Sequence, residues 1–68
     1  MQPRVRFHLA DGRTLLIGFR ELQLRDQHNR GAVTMTYDQA RELLGTQPEP
    51  QRTSGLDLLA RQHGAPGA

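Results

Sequence analysis

Between positions 4 and 9 polar and apolar residues alternate strictly. Arg4, Arg6 and His8 fall on one side, and Val5, Phe7 and Leu9 on the other. A period of two is that of a strand with one buried face. Asp11 and Gly12 follow as a turn signal, and residues 13–19 (RTLLIGF) read as the return strand. The length of the turn decides which faces meet. A two-residue loop at Asp11 and Gly12 would pair Phe7 with Leu16 and His8 with Leu15, setting basic side chains among apolar ones. A three-residue loop of Ala10, Asp11 and Gly12 pairs Phe7 with Leu15 and Val5 with Ile17. A slip of one residue would bury the arginines, so the three-residue turn is expected, with a bulge and a left-handed Gly12.

The same register places Arg4, Arg6 and His8 on an outer face beside Thr14, Leu16 and Gly18. Residues 22–26 (LQLRD) predict a third strand with Leu22 and Leu24 inward. Apolar parity therefore switches from odd (15, 17, 19) to even (22, 24), with Phe19 counted inward. Either a tight turn at Arg20 and Glu21 or a bulge in one long bent strand would do this. Residues 27–31 (QHNRG) have loop composition. Residues 32–36 (AVTMT) predict a fourth strand with Val33 and Met35 inward. Thr36, with Gln39 three residues on, forms a capping-box signature. It opens a helix over 37–44 that buries Tyr37, Ala40, Leu43 and Leu44, with Gly45 as its stop. Residues 46–53 (TQPEPQRT) carry two prolines and no apolar side chain. Ser54, with Asp57 three residues on, predicts a second cap and a short helix presenting Leu56, Leu58, Leu59 and Ala60.

These elements predict an α+β fold: a small antiparallel sheet of three or four strands, one packed helix and a short C-terminal helix. The alternative is an SH3-like small β-barrel with a helical tail. The organisation expected is a compact domain over 1–45, a proline-containing linker over 46–53, an amphipathic helix over 54–63 and a tail over 64–68.

Composition narrows the chemistry. The chain has 68 residues, of which 35% are hydrophobic and 4% aromatic, and it has no cysteine. A chain of this size buries about 60% of its unfolded surface. With neither disulfide nor thiolate metal site available, help from a partner or a second copy is expected. No apolar run approaches the ~20 residues of a membrane span, and the first residues do not read as a signal peptide; a cytoplasmic location is the expectation. The net charge is +2, and all nine of the Lys and Arg residues are arginine. A guanidinium fork suits interfaces and phosphates better than an ammonium does.

An enzyme is not expected. Ser54, the one serine, reads as a cap, and no glycine-rich phosphate loop is present. Asp26 and His28 stand close together, but no further ligand lies at a recognised spacing, so neither a metal nor a cofactor is expected. A chain this small also shapes no deep pocket for a small-molecule substrate.

Two features remain as candidate sites. One is the basic sheet face of Arg4, Arg6, His8, Gln23 and Arg25, with Thr34 beside them. Arginine on a sheet can meet phosphate, but Phe7 and Phe19 point inward in this reading and leave the face without the stacking aromatics of single-strand binders. The other is a docking helix of Leu56, Leu58 and Leu59 on a proline-bearing leash. The function expected is that of a small non-catalytic regulatory or accessory protein. It would act by protein–protein interaction or self-association through the arginine-bearing sheet face, the edge of the first strand or the C-terminal helix, in the manner of a phage- or plasmid-type modulator of a larger host machine. The alternative is a small nucleic-acid-binding protein using the arginine face. No membrane partner is expected.

Residues 22–44, with Arg25 and Asp26, the turn, Thr36 and the following helix, resemble the second half of a small actinobacterial domain family of unknown function. The resemblance implies a strand–turn–strand–helix unit of the kind that accompanies helix-turn-helix regulators. The chain lacks that family's Trp and Cys residues, and its turn is one residue shorter.

Overall fold

The structure, a computed structural model, describes residues 4–28 and 30–63. Four strands are followed by two helices: β1 (Val5–His8), β2 (Thr14–Ile17), β3 (Leu22–Arg25), β4 (Val33–Thr34), α1 (Tyr37–Gly45) and α2 (Gln51–Gln62). The strands form one antiparallel sheet in the order β1-β2-β3-β4. The sheet is open, so the fold is a small α+β one rather than a closed barrel.

The first hairpin has the register that the alternation demands, with Val5 opposite Ile17 and Phe7 opposite Leu15. Leu9 N–H donates to the Arg13 carbonyl at 2.8 Å, and Gly12 N–H donates to the Leu9 carbonyl at 3.1 Å. This is a three-residue loop, and it needs Gly12 at φ 96°, where a Cβ would be strained. Asp11 fixes the loop by accepting from Arg13 N–H at 3.0 Å and pairing with its guanidinium at 2.6 Å, contacts that lower its pKa.

The parity switch is a tight turn, one residue earlier than expected. Gly18 N–H donates to the Glu21 carbonyl at 2.8 Å, which leaves Phe19 and Arg20 as the loop. Ile17 then faces Leu22, and odd and even positions share the inner face. Phe19 is consequently a turn residue and not an inward one; it is 44% exposed, with the Arg20 guanidinium 5.7 Å from its ring centroid. Val33 also departs from expectation. It pairs with Leu24 on the inner face, but it lies on the two-residue edge strand beyond the helices' cover and is 59% exposed.

The helices cover the inner face. Leu15, Ile17 and Leu22 from the sheet meet Leu9, Ala40, Leu44 and Leu59 in one core. α1 opens with the expected capping box: Gln39 N–H donates to Thr36 Oγ1 at 3.1 Å, and Thr36 N–H donates to Gln39 Oε1 at 2.9 Å. It closes on Thr46, whose hydroxyl donates to the Leu43 carbonyl at 2.7 Å, so Gly45 is its last residue and not a left-handed stop.

The segment from 46 to 53 differs most from its reading as a linker. Gln47 is buried, and its Oε1 accepts from Ala10 N–H at 3.0 Å, tying the segment to the first turn. α2 begins at Gln51, and Ser54 lies inside it, donating its N–H to the Pro50 carbonyl at 3.0 Å. The cap expected of Ser54 is supplied by Glu49, whose carboxylate accepts from Thr53 N–H at 2.9 Å and Thr53 Oγ1 at 2.7 Å. Asp57 instead pairs with Arg61 at 3.1 Å, one turn on. The buried stripe of α2 is Gly55 and Leu59, while Ala60 is exposed. The helix end is fastened to the sheet: His63 Nδ1 donates to the Gly18 carbonyl at 2.9 Å, and its ring stacks on Tyr37 with centroids 5.6 Å apart. The tail over 64–68 lies outside the described residues.

Candidate functional site

The outer face of the sheet is built in rows. Antiparallel partners lie side by side on one face, so Arg6, Leu16, Gln23 and Thr34 form the middle row. His8, Thr14 and Arg25 form a second row. Arg4, Gly18 and Glu21 form a third at the turn end, where Arg4 Nη1 lies 3.7 Å from Glu21 Oε2. The face predicted from alternation is therefore assembled, with Arg4, Arg6, His8, Gln23 and Arg25 all on it.

These side chains do a structural job as well. The central strip of Thr14, Leu16 and Gly18 is buried, although it lies on the face away from the helices; Leu16 is only 6% exposed. Arg6 and Gln23 flank Leu16 in its row. Arg4 Cγ stands 3.1 Å from where a Gly18 Cβ would be. Long side chains cover apolar neighbours with their stems and keep the polar head in water, and Arg4 does this over Gly18. Arg4 also donates to Gln23 Oε1 at 3.2 Å, and His8 Nδ1 lies 3.3 Å from the Thr14 hydroxyl. Among the described residues Arg6 makes no ion pair. Its charge faces solvent.

The site continues into the edge of β1. In an antiparallel ladder, hydrogen-bonded pairs alternate with non-bonded ones. Leu9 bonds to Arg13, so Phe7 and Val5 use their N–H and C=O groups toward β2, and those of Arg6 and His8 point away from the sheet. The residues that present basic side chains on the outer face thus also present backbone groups that no described residue pairs with. The opposite edge, β4, offers only Val33 and Thr34.

The second candidate is used by the chain itself. Leu59 is 1% exposed at the centre of the core, and Leu56 and Leu58 are half-buried against it. The expected docking helix therefore packs on its own domain, because the inner sheet face needs a second helix to cover it. Gly55 makes the approach close: a Cβ there would lie 2.6 Å from Leu44 Cδ2 and 2.9 Å from Phe7 Cε2.

The loop carboxylates serve the backbone. Asp26 Oδ1 accepts from His28 N–H at 2.9 Å and Arg30 N–H at 2.8 Å, an Asx-type turn closing β3 to β4. Among the described residues no three His, Asp or Glu side chains lie together in a way that could hold a metal ion. No described helix is long and apolar enough to cross a membrane. The sequence reading named the edge of the first strand as a binding surface but not that Arg6 and His8 carry its outward backbone groups, although that signal was present in the turn length, which sets the parity of the ladder. It also missed the buried Gln47, for which a lone glutamine between polar neighbours offers no pattern.

No family model, no curated protein and no solved structure matches the chain.

Proposed function

We propose that this chain is a non-catalytic accessory protein that binds another protein along the edge of β1 and the arginine-bearing sheet face beside it. One observation carries the reading. Arg6 and His8 combine outward-pointing backbone groups with basic side chains, on the longer of the two sheet edges. An open edge is a template for pairing with another strand unless something blunts it, and strand addition is a recurrent mode of peptide recognition. Regulation of the bound protein, rather than catalysis, fits an outer face of arginine, histidine, glutamine and threonine. Glu21, at the turn end of that face, pairs with Arg4 at 3.7 Å.

The test compares the wild-type chain with Arg6→Pro as bait for cross-linking capture. Proline removes the outward N–H without touching the ladder to β2. A captured protein that is lost with Arg6→Pro, while both baits give the same circular dichroism, supports the reading. Fluorescence anisotropy with generic duplex DNA and single-stranded RNA at two salt concentrations is run in parallel. Salt-steep binding that Arg4→Ala with Arg6→Ala weakens, and that Arg6→Pro leaves no weaker than the single Arg6→Ala, would overturn it in favour of a nucleic-acid ligand.

A further inference from the structure

Resting on that reading, we infer the chemistry of the occupant: an extended protein segment that alternates acidic and apolar residues and pairs antiparallel with β1, and not a second copy of this chain. The ladder limits the register. An antiparallel hydrogen-bonded pair joins two residues whose backbone groups both point outward. On β1 these are Arg6 and His8. In a copy-to-copy pairing the even positions must therefore face even positions. Centred on Arg6, such a pair sets Arg6 against Arg6 and Arg4 against His8 on one face. Like charges directly opposite are destabilising, so the Arg6–Arg6 pair acts against self-pairing in this register, as charges on natural sheet edges do.

The same row selects its complement. A strand laid on this edge places the side chains opposite Arg6 and His8 on the outer face, next to one guanidinium with no ion pair among the described residues and one imidazole. Carboxylates at those positions are attracted, and lysines are repelled. The intervening residues fall on the inner face, beside Val5 and Phe7, both of which are only half-buried. These are non-hydrogen-bonded positions, where facing side chains stand closest, about 4.5 Å apart at Cα. Apolar residues there would extend the core past its present margin. Arg4 contributes less, because Glu21 and Gln23 already engage it.

The experiment titrates the isotope-labelled full chain with three capped peptides and follows backbone amide shifts. One peptide alternates glutamate and valine, one has the same composition with its glutamates in a single block, and one alternates lysine and valine. The expected result is binding of the first peptide alone. The shifts should concentrate on the β1 amides and disappear in Arg6→Pro. Arg6→Glu, which keeps the backbone donor, should weaken the glutamate peptide about threefold to tenfold, the worth of one exposed pair turned repulsive. Equal binding of the blocked peptide would overturn the inference, since charge without a strand would then suffice; equal binding of the lysine peptide would overturn it as well. So would a dimer in sedimentation that Arg6→Pro dissolves, because the edge would then hold a second copy. If no peptide binds, the acidic-strand inference fails. The capture experiment then separates the two claims: Arg6→Pro-sensitive capture keeps the edge as a docking site for other chemistry, and insensitive capture removes both.

Discussion

Two glycines on the helices have opposite roles, and the space around them says which. Gly55 sits where α2 crosses Leu44 and the Phe7 ring, with no room for a Cβ. Gly45 ends α1 with nothing within 4 Å of its missing Cβ. Gly55→Leu should lower stability in urea titration by about 1–3 kcal/mol through overpacking. Gly45→Ala should raise it by about 0.4–1 kcal/mol, because its only effect is on the entropy of the unfolded chain. Glu49 offers a second test at this scale. Hydrogen bonds from Thr53 and Arg52 lower its pKa, so its ionised form is favoured in the folded state. A lowered pKa contributes stability that is complete above the unfolded value, about 4.3, and is lost as the pH falls through the folded one. Glu49→Gln should therefore melt below the wild type at pH 7, with the gap closing below about pH 4.

The ladder of β1 gives a prediction at the scale of the element. Because backbone groups alternate in direction, neighbouring residues should respond differently to proline. Arg6→Pro removes a donor that faces away from β2 and should cost little beyond Arg6→Ala. Phe7→Pro removes a ladder bond to β2 and leaves its acceptor unmet, at about 1–3 kcal/mol more than Phe7→Ala. Denaturation midpoints of the four variants check this directly. The reverse order, with Arg6→Pro costing more beyond its alanine variant than Phe7→Pro does, would mean that the ladder runs with the other parity, and the open edge would then present Val5 and Phe7. Within α2, ordinary capping chemistry is displaced by one turn. The carboxylate of Glu49 satisfies the Thr53 amide in the first turn, and Ser54 becomes an interior residue.

For the molecule as a whole, α2 is part of the one core that the described residues form. Leu59 closes the space between Leu44 and the sheet, and His63 ties the helix end to Gly18 and Tyr37. Leu59→Ala should cost about 2–5 kcal/mol. That is a large share of the stability open to a chain of 68 residues without disulfides. A chain ending at Pro50 should lose cooperative unfolding in calorimetry, since the inner faces of β2 and β3 would lie bare. A folded, cooperative 1–50 fragment would instead make α2 an appendage, and the leucines of that helix would return as a candidate docking surface.

The residues with local duties were legible from their neighbours alone. Strict alternation, a glycine able to take positive φ and the requirement that Val5 and Phe7 meet Ile17 and Leu15 leave one register for the first hairpin. Thr36 and Gln39 define the start of α1 because both hydrogen bonds close within four residues. The outer row of Arg4, Arg6, His8, Gln23 and Arg25 follows from that register by parity. Long-range packing decided the rest. Phe19 reads as a core residue until the hairpin makes it a turn residue, and Val33 reads as inward until the helices stop short of the edge. Ser54 and Asp57 carry a capping pattern, yet the helix starts at Gln51, where the chain can drop Leu59 into the core. A local pattern constrains dihedrals and hydrogen bonds a few residues apart. Which apolar face is covered, and by what, depends on contacts between distant segments, and only the assembled fold settles that.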